Sequence, residues 1–220
     1  MPAGTITALR AQAKDPQRVN VFVNGEFALG VSLNTISKEG LYVGKALSAE
    51  EFARVERTES GDKALQIALR FLEVRPRSTA EIRERLRRKD FADEAIEAAI
   101  ERLTTLGMVD DAAFARSWVE NRQANRPRGV SALRDELRRK GIDRTLAETV
   151  LGDETLTGGE DQRAMTIARG ALHKYANAPD RAAFQRRMGG YLQRRGFGFD
   201  TIGPILQTLW AELHESVDET

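Results

Sequence analysis

RPRSTAEIRERLRRK occupies residues 75–89 and RPRGVSALRDELRRK occupies residues 126–140, so nearly the same phrase is written twice, 51 positions apart. The proline, the flanking arginines, one leucine and the closing basic triplet keep their places. A worn third copy, RRMGGYLQRRGF at 186–197, aligns with AEIRERLRRKDF at 80–91 and SALRDELRRKGI at 131–142. In each copy an apolar residue (Ile82, Leu133, Met188) is followed four positions on by a leucine (Leu86, Leu137, Leu192). That spacing stacks the two side chains on one helical face. Asp90, Gly141 or Gly196 then stands where a left-handed helix end is expected. Ser78 with Glu81 forms a capping box that starts the first helix, and Pro76 and Pro127 break whatever precedes each copy.

Amphipathic runs flank every copy. Leu65, Leu69 and Leu72, then Phe114, Trp118 and Val119, then Met165, Ile167 and Leu172 lie before; Ile96, Ile100 and Leu103, then Leu146, Val150 and Leu151, then Ile202, Leu206 and Leu209 lie after. Each repeat is thus three helices, enough to close a small core. The N-terminal stretches TITALRAQ, RVNVFVNG and EFALGVSL alternate apolar and polar residues, with Asn24-Gly25 as a two-residue turn, which predicts a small sheet over about 5–33. Ser48 with Glu51 caps a further helix. The expected architecture is mainly α: tandem three-helix repeats in an elongated curved arm, preceded by a small N-terminal β-hairpin or sheet segment. Its boundaries are read as 1–60, 61–108, 109–153 and 160–214, with 151–162, rich in Gly, Thr and acid, as a linker.

Charge is segregated. The chain has a formal charge of +1, yet 75–89, 126–140 and 181–195 carry +5, +4 and +5, leaving −13 to the other 175 residues. Cysteine is absent, which excludes disulfides, thiolate metal sites and cysteine nucleophiles. No apolar run reaches membrane-spanning length and the N-terminus lacks a signal-peptide core, so a cytoplasmic protein is expected. There is no phosphate loop, dinucleotide fingerprint, HExxH or nucleophile elbow, and His173 and His214 are the only histidines. No enzyme, cofactor or metal is expected. Asp110 and Asp111 read as a helix cap rather than a cation site. Trp118 and Trp210 fit core stripes, whereas Tyr191, beside basic residues, reads as a contact.

The arginines are the functional candidates. Basic residues in a last helical turn are accounted for by the helix dipole, but Arg75, Arg77, Arg126 and Arg128 precede their helices, where positive charge is unfavourable. A shared surface for an anionic partner explains them better.

FLEVRPRSTAEIRERLRRK, LTTLGMVDDAAFARSWVENR and RPRGVSALRDELRRKGI, in that order, resemble the RecX family of bacterial modulators of the RecA recombinase. The resemblance covers about residues 5–212 and is weakest in the third repeat, which lacks an Arg-Pro-Arg and carries Gly189 and Gly190 in its helix. It implies an arm lying in the groove of the RecA nucleoprotein filament and restraining recombinase, ATPase and coprotease activity, within homologous recombination, DNA repair and the SOS response. On it, Arg75, Arg77, Arg83, Arg87, Arg88, Arg126, Arg128, Arg134, Arg138, Arg139, Lys140, Arg194 and Arg195 are assigned to a RecA- or DNA-binding surface. Weak binding to single- or double-stranded DNA is compatible with this, and without a coiled-coil seam a monomer is expected. Two other classes remain open: a helix-turn-helix-like protein acting on DNA directly, and a structural helical scaffold.

Overall fold

The computed structural model describes residues 3–218, with side chains through 214. The chain divides into two compact halves, Met1–Val109 and Asp110–Thr220.

In the first half, β1 (Gly4–Gln12), β2 (Asp15–Val23), β3 (Glu26–Ser32) and β4 (Ala46–Leu47) form an antiparallel sheet of order β3-β2-β1-β4. The two-residue β4 adds an edge strand beyond the expected span. Asn24 and Gly25, at φ 51° and 89°, make the predicted hairpin turn, whose left-handed residues match the strand twist. Ile6, Val21, Val23 and Val31 fill one face of the sheet. Helix α1 (Leu33–Glu39) follows, then α2 (Ala49–Leu72), which opens on the Ser48–Glu51 capping box.

At 24 residues α2 runs unbroken through position 60 and serves two cores. Its first turns bury Phe52 and Val55 against the sheet, and its last turns bury Ala64 and Ala68 against α3 (Thr79–Arg87) and α4 (Asp93–Thr105). Between these cores lie two buried carboxylates, Glu59 and Asp62. Glu59 accepts from Arg18 Nη2 at 2.8 Å and from the Ser32 amide at 2.7 Å; Asp62 accepts from Asn34 at 2.6 Å, Ser32 Oγ at 3.1 Å and Lys38 at 3.0 Å. The Thr35 hydroxyl lies 3.0 Å from Glu59 and 3.1 Å from Asp62. Burial alone would raise the Asp62 carboxyl, but the donors Lys38, Asn34 and Ser32 outweigh it and hold the group below its ordinary range. This polar clamp pins the sheet to the helix. Removing one member would leave buried partners unsatisfied.

The second half holds two repeats. The first comprises α5 (Asp111–Asn125), α6 (Val130–Arg139) and α7 (Arg144–Leu151); the other comprises α9 (Glu160–Ala171), α10 (Arg181–Arg194) and α11 (Phe199–Asp218). Between them α8 (Glu154–Thr157) is a single helical turn, started by Asp153, whose carboxylate accepts from the Thr155 amide at 3.0 Å. Leu156 packs on the α5–α7 core and Thr157 is buried, so the expected linker is largely folded, with breaks at Gly152-Asp153 and Gly158-Gly159.

The paired apolar positions behave alike in all three repeats. Ile82 and Leu86, Leu133 and Leu137, and Met188 and Leu192 have no exposed surface. Each fully buried leucine contributes roughly 2 kcal/mol of transfer free energy. The stops are left-handed as read: Asp90 at φ 60°, Gly141 at 72° and Gly196 at 88°. Within the second half, the turn before α6 meets the turn after α10 backbone to backbone. The Gly129 amide donates to the Arg195 carbonyl at 2.9 Å, and a Cβ on Gly129 would fall 2.2 Å from the Gly196 carbonyl oxygen.

Candidate partner-binding surface

The basic residues sort into three groups. Seven carry a carboxylate partner. Arg75 pairs with Glu81 at 2.8 Å, Arg87 with Asp93 at 3.1 Å, Arg88 with Glu84 at 3.6 Å, Arg128 with Glu136 at 3.3 Å and Arg138 with Asp135 at 3.3 Å. The Arg75 pair is itself two-pronged, with a second bond to Glu81 at 3.2 Å, and the other two, Arg83 and Arg134, make two-pronged forks between helices. Arg83 donates to both oxygens of Glu97 at 2.7 and 2.8 Å, and Arg134 to both oxygens of Glu148 at 2.6 and 3.1 Å. These forks occupy equivalent places, 14 residues apart in each repeat, and join the second helix to the third. Each is a charge-assisted pair with the planar geometry that arginine supplies. The Arg83 hydrogen bond outweighs burial in holding Glu97 below the ordinary carboxylate range, and Arg134 does the same for Glu148.

A second group lies on aromatic rings. The Arg77 guanidinium sits 3.9 Å from the Phe71 ring centre, where burial and then the Arg75 charge lower its pKa. Lys140 and Arg122 both approach the Trp118 ring, at 4.8 and 4.7 Å, while the indole N–H donates to Glu136 at 2.9 Å. Trp118 is therefore half core and half the wall of a basic corner. Arg195 lies 4.9 Å from the Tyr191 ring, and its Nη1 is 3.5 Å from the Pro127 carbonyl, the weak end of hydrogen-bond length. Tyr191, read from sequence as a partner contact, thus has an internal neighbour. A third group, Arg126, Arg139 and Arg194, is exposed and has no ion-pair partner among the described residues.

The remaining readings have plain outcomes. Asp110 caps α5, accepting from the amides of Ala112 at 2.8 Å and Ala113 at 3.0 Å. Trp210 packs beside the core of the last repeat, 5.4 Å from the Phe184 ring centre, and His214 stacks on it at 4.0 Å. Among the described residues no cluster of three His, Cys, Asp or Glu is placed to hold a metal ion, and no helix is long and apolar enough to cross a membrane.

Sequence reasoning missed the forks, because it weighed the arginines without the third helix of each repeat. Extending the same alignment supplies the signal. Arg83 aligns with Arg134 and Gly189, and Glu97 with Glu148 and Gly203, so the last repeat has lost both partners together.

Comparison with known proteins agrees with this organisation. Residues 4–48 match the regulatory protein RecX N-terminal domain, 64–103 the RecX first three-helix domain, 110–151 the second and 159–206 the third. A regulatory protein RecX from Lactobacillus delbrueckii subsp. bulgaricus is 32% identical over 216 residues, covering 97% of this chain and 76% of the relative. The chain belongs to the RecX family. A Clostridium acetobutylicum RecX is 29% identical over 96% of this chain and 99% of its own length. Among solved structures, one described as regulatory protein RecX superposes with a TM-score of 0.74 at 24% identity, over 91% of this chain and 98% of that one, a likeness of fold. RecX from Lactobacillus salivarius gives 0.61 at 26% identity over 69% and 97%. The mainly helical fold with tandem three-helix domains behind a four-stranded sheet is thus the RecX fold.

Proposed function

We propose that this RecX-family chain binds the RecA nucleoprotein filament in the cytoplasm, as a monomer without cofactor, and restrains its recombinase, ATPase and coprotease activities without catalysing a reaction itself. The observation that carries this beyond the family match is the third group of arginines. Arg126 caps the C-terminus of α5 and Arg139 and Arg194 stand in last turns, where the dipole favours a cation; what supports a partner surface is that all three guanidinium groups are exposed and without an ion pair among the described residues, open to a planar anionic partner. Residues of the first group serve the surface less directly, since an ion pair must open before they meet a partner. Contacts distributed over several repeats add through effective concentration, so each can be weak.

The test is RecA ATPase on single-stranded DNA, titrated with well below one chain per RecA protomer. Hydrolysis should fall. The triple variant Arg126→Glu, Arg139→Glu, Arg194→Glu should stay cooperatively folded, its unfolding midpoint lowered only by the reversed helix-end charges, and lose most of the inhibition; full inhibition by that variant would remove these residues from the surface. Direct action on DNA is the alternative, and the same exposed guanidiniums suit phosphates. Binding to bare duplex, bare single strand and RecA-coated strand at matched salt separates the two, with each lost phosphate contact lowering the salt slope by about 0.7 to 0.9.

A further inference from the structure

Three substitutions convert one place in the last repeat from a closed, charged joint into an open apolar slot. Where the first two repeats set Arg83 or Arg134 on the second helix, α10 has Gly189; where they set Glu97 or Glu148 on the third, α11 has Gly203. Where they begin the third helix with Asp93 or Arg144, α11 begins with Phe199, which is 76% exposed. A groove of about 410 Å3 lies between α10 and α11 at this place, with Ile202 and Leu206 beneath it and Gln185, Gln193 and Arg186 at its edge. A Cβ on Gly203 would meet nothing within 4 Å, and one on Gly189 would lie 3.3 Å from Leu206 Cδ1. Beyond its chain neighbours Gly203 therefore faces open space, while Pro204, next in the same helix, favours a residue without a Cβ at 203.

Pro204 accounts for glycine at 203, but neither helix formation nor solubility explains Gly189 or Phe199. Gly189 in a helix interior costs about 1 kcal/mol relative to alanine, and an exposed phenylalanine replaces a charged residue without a packing gain. The surroundings give the occupant its chemistry. Arg181, Arg186, Arg187 and Arg194 are exposed around α10 with no ion pair among the described residues, and residues 181–195 contain no acid. Arg186 lines the groove beside Gln185, Gln193 and Gln207, and this cation, the acid-free helix that carries it and the aliphatic floor together suit a protein segment that is acidic along its length and carries one bulky apolar side chain. A nucleic acid would satisfy the arginines, but the aliphatic floor would strip water from polar base edges, which an apolar side chain does not suffer.

We propose that the α10–α11 groove is a docking site for such an acidic segment, whose apolar side chain lodges over Gly203 between Phe199 and Leu206. The site is independent of which protein supplies the segment, so it stands or falls apart from the RecA reading.

The test uses the whole chain labelled with nitrogen-15 and follows the amides of Gly189, Gly190 and Gly203. The probes are a twelve-residue Asp/Glu-rich peptide with one central Phe, the same peptide with central Ala, and a twelve-residue oligothymidylate. The Phe peptide should shift these amides saturably and bind about tenfold more tightly than the Ala peptide, as expected for partial burial of one aromatic side chain. Gly203→Ala, which carries the backbone cost of a Cβ before Pro204, should keep that preference, whereas Gly203→Glu, which carries the same cost and places a carboxylate in the groove, should remove it. Phe199→Asp, which restores the first repeat's residue, should weaken the Phe peptide in the same way. Equal binding of Phe and Ala peptides, a preference for the oligothymidylate, shifts elsewhere only, or indifference to both Gly203→Glu and Phe199→Asp would overturn the proposal.

Discussion

The repeats at 110–151 and 159–206 share a core and differ in what surrounds it. Leu133, Leu137 and Ile142 in one are matched by Met188, Leu192 and Phe197 in the other, all buried. Around that common core the earlier repeat ties down several of its arginines, among them Arg134 to Glu148 and Arg128 to Glu136, and leaves Arg126 and Arg139 unpaired, whereas none of the five arginines of 181–195 has a carboxylate partner among the described residues. The later repeat keeps an ion pair between α9 and α11, Arg169 to Glu212 at 2.6 Å, but has none between α10 and α11 among the described residues. Apolar positions four apart and a left-handed stop suffice to specify the three-helix shape. Exposed ion pairs contribute little to stability, so a repeat can lose them and still fold. The surface is then available for recognition.

The largest effect expected within this comparison lies where the two repeats touch. Gly129→Ala drives a Cβ into the Gly196 backbone and should destabilise the second half by about 3 kcal/mol in urea unfolding. Gly107→Ala, at a left-handed stop with open space around it, should cost only about 1 to 2 kcal/mol. Equal costs would mean that the contact yields. The next effect has the opposite sign. Gly189→Arg with Gly203→Glu rebuilds the missing fork; measured against Gly203→Glu alone, which carries the backbone cost of a Cβ before Pro204, the added arginine should stabilise the protein by about 1 kcal/mol for the glycine removed from α10, and a loss of stability would show that the α10–α11 spacing cannot accept the side chain.

Acid should produce the smallest effect. Glu148 is held below its ordinary range in the folded state, so its contribution is present above the unfolded value and is lost as pH falls through the depressed one. The last repeat has no such fork to lose. With Trp118 and Trp210 as separate reporters, in Trp210→Phe and Trp118→Phe variants, fluorescence of Trp118 should change at higher pH than that of Trp210. The reverse order would break the comparison.

Local signals carried most of the fold. The Asn24-Gly25 turn, the Ser48–Glu51 and Ser78–Glu81 capping boxes, the Asp110 cap and the stops at Asp90, Gly141 and Gly196 each depend on a few neighbouring residues, so the sequence displays them directly. The site was less legible because charge pairing is a tertiary matter. Arg83 meets Glu97 only once two helices fold back on each other, and counting charges inside a fifteen-residue phrase leaves Glu97 out. Glu59 and Asp62 were invisible for a related reason: on a helix rich in Glu, Arg and Lys, a buried carboxylate is written with the same letter as a solvated one. Gly189 was seen as a weakness in its helix, but its meaning emerged only beside Gly203.

Because α2 anchors the sheet through Phe52 and Val55 and the first three-helix core through Ala64 and Ala68, the residues between act as a timing shaft. One residue added there would rotate everything downstream by about 100° and advance it by about 1.5 Å. Phe52 and Ala64 could not then both face their cores, and Asp62 would swing away from Ser32 and Asn34. Insertions or deletions in this outwardly ordinary, charged stretch should therefore be far more damaging than substitutions at its exposed positions.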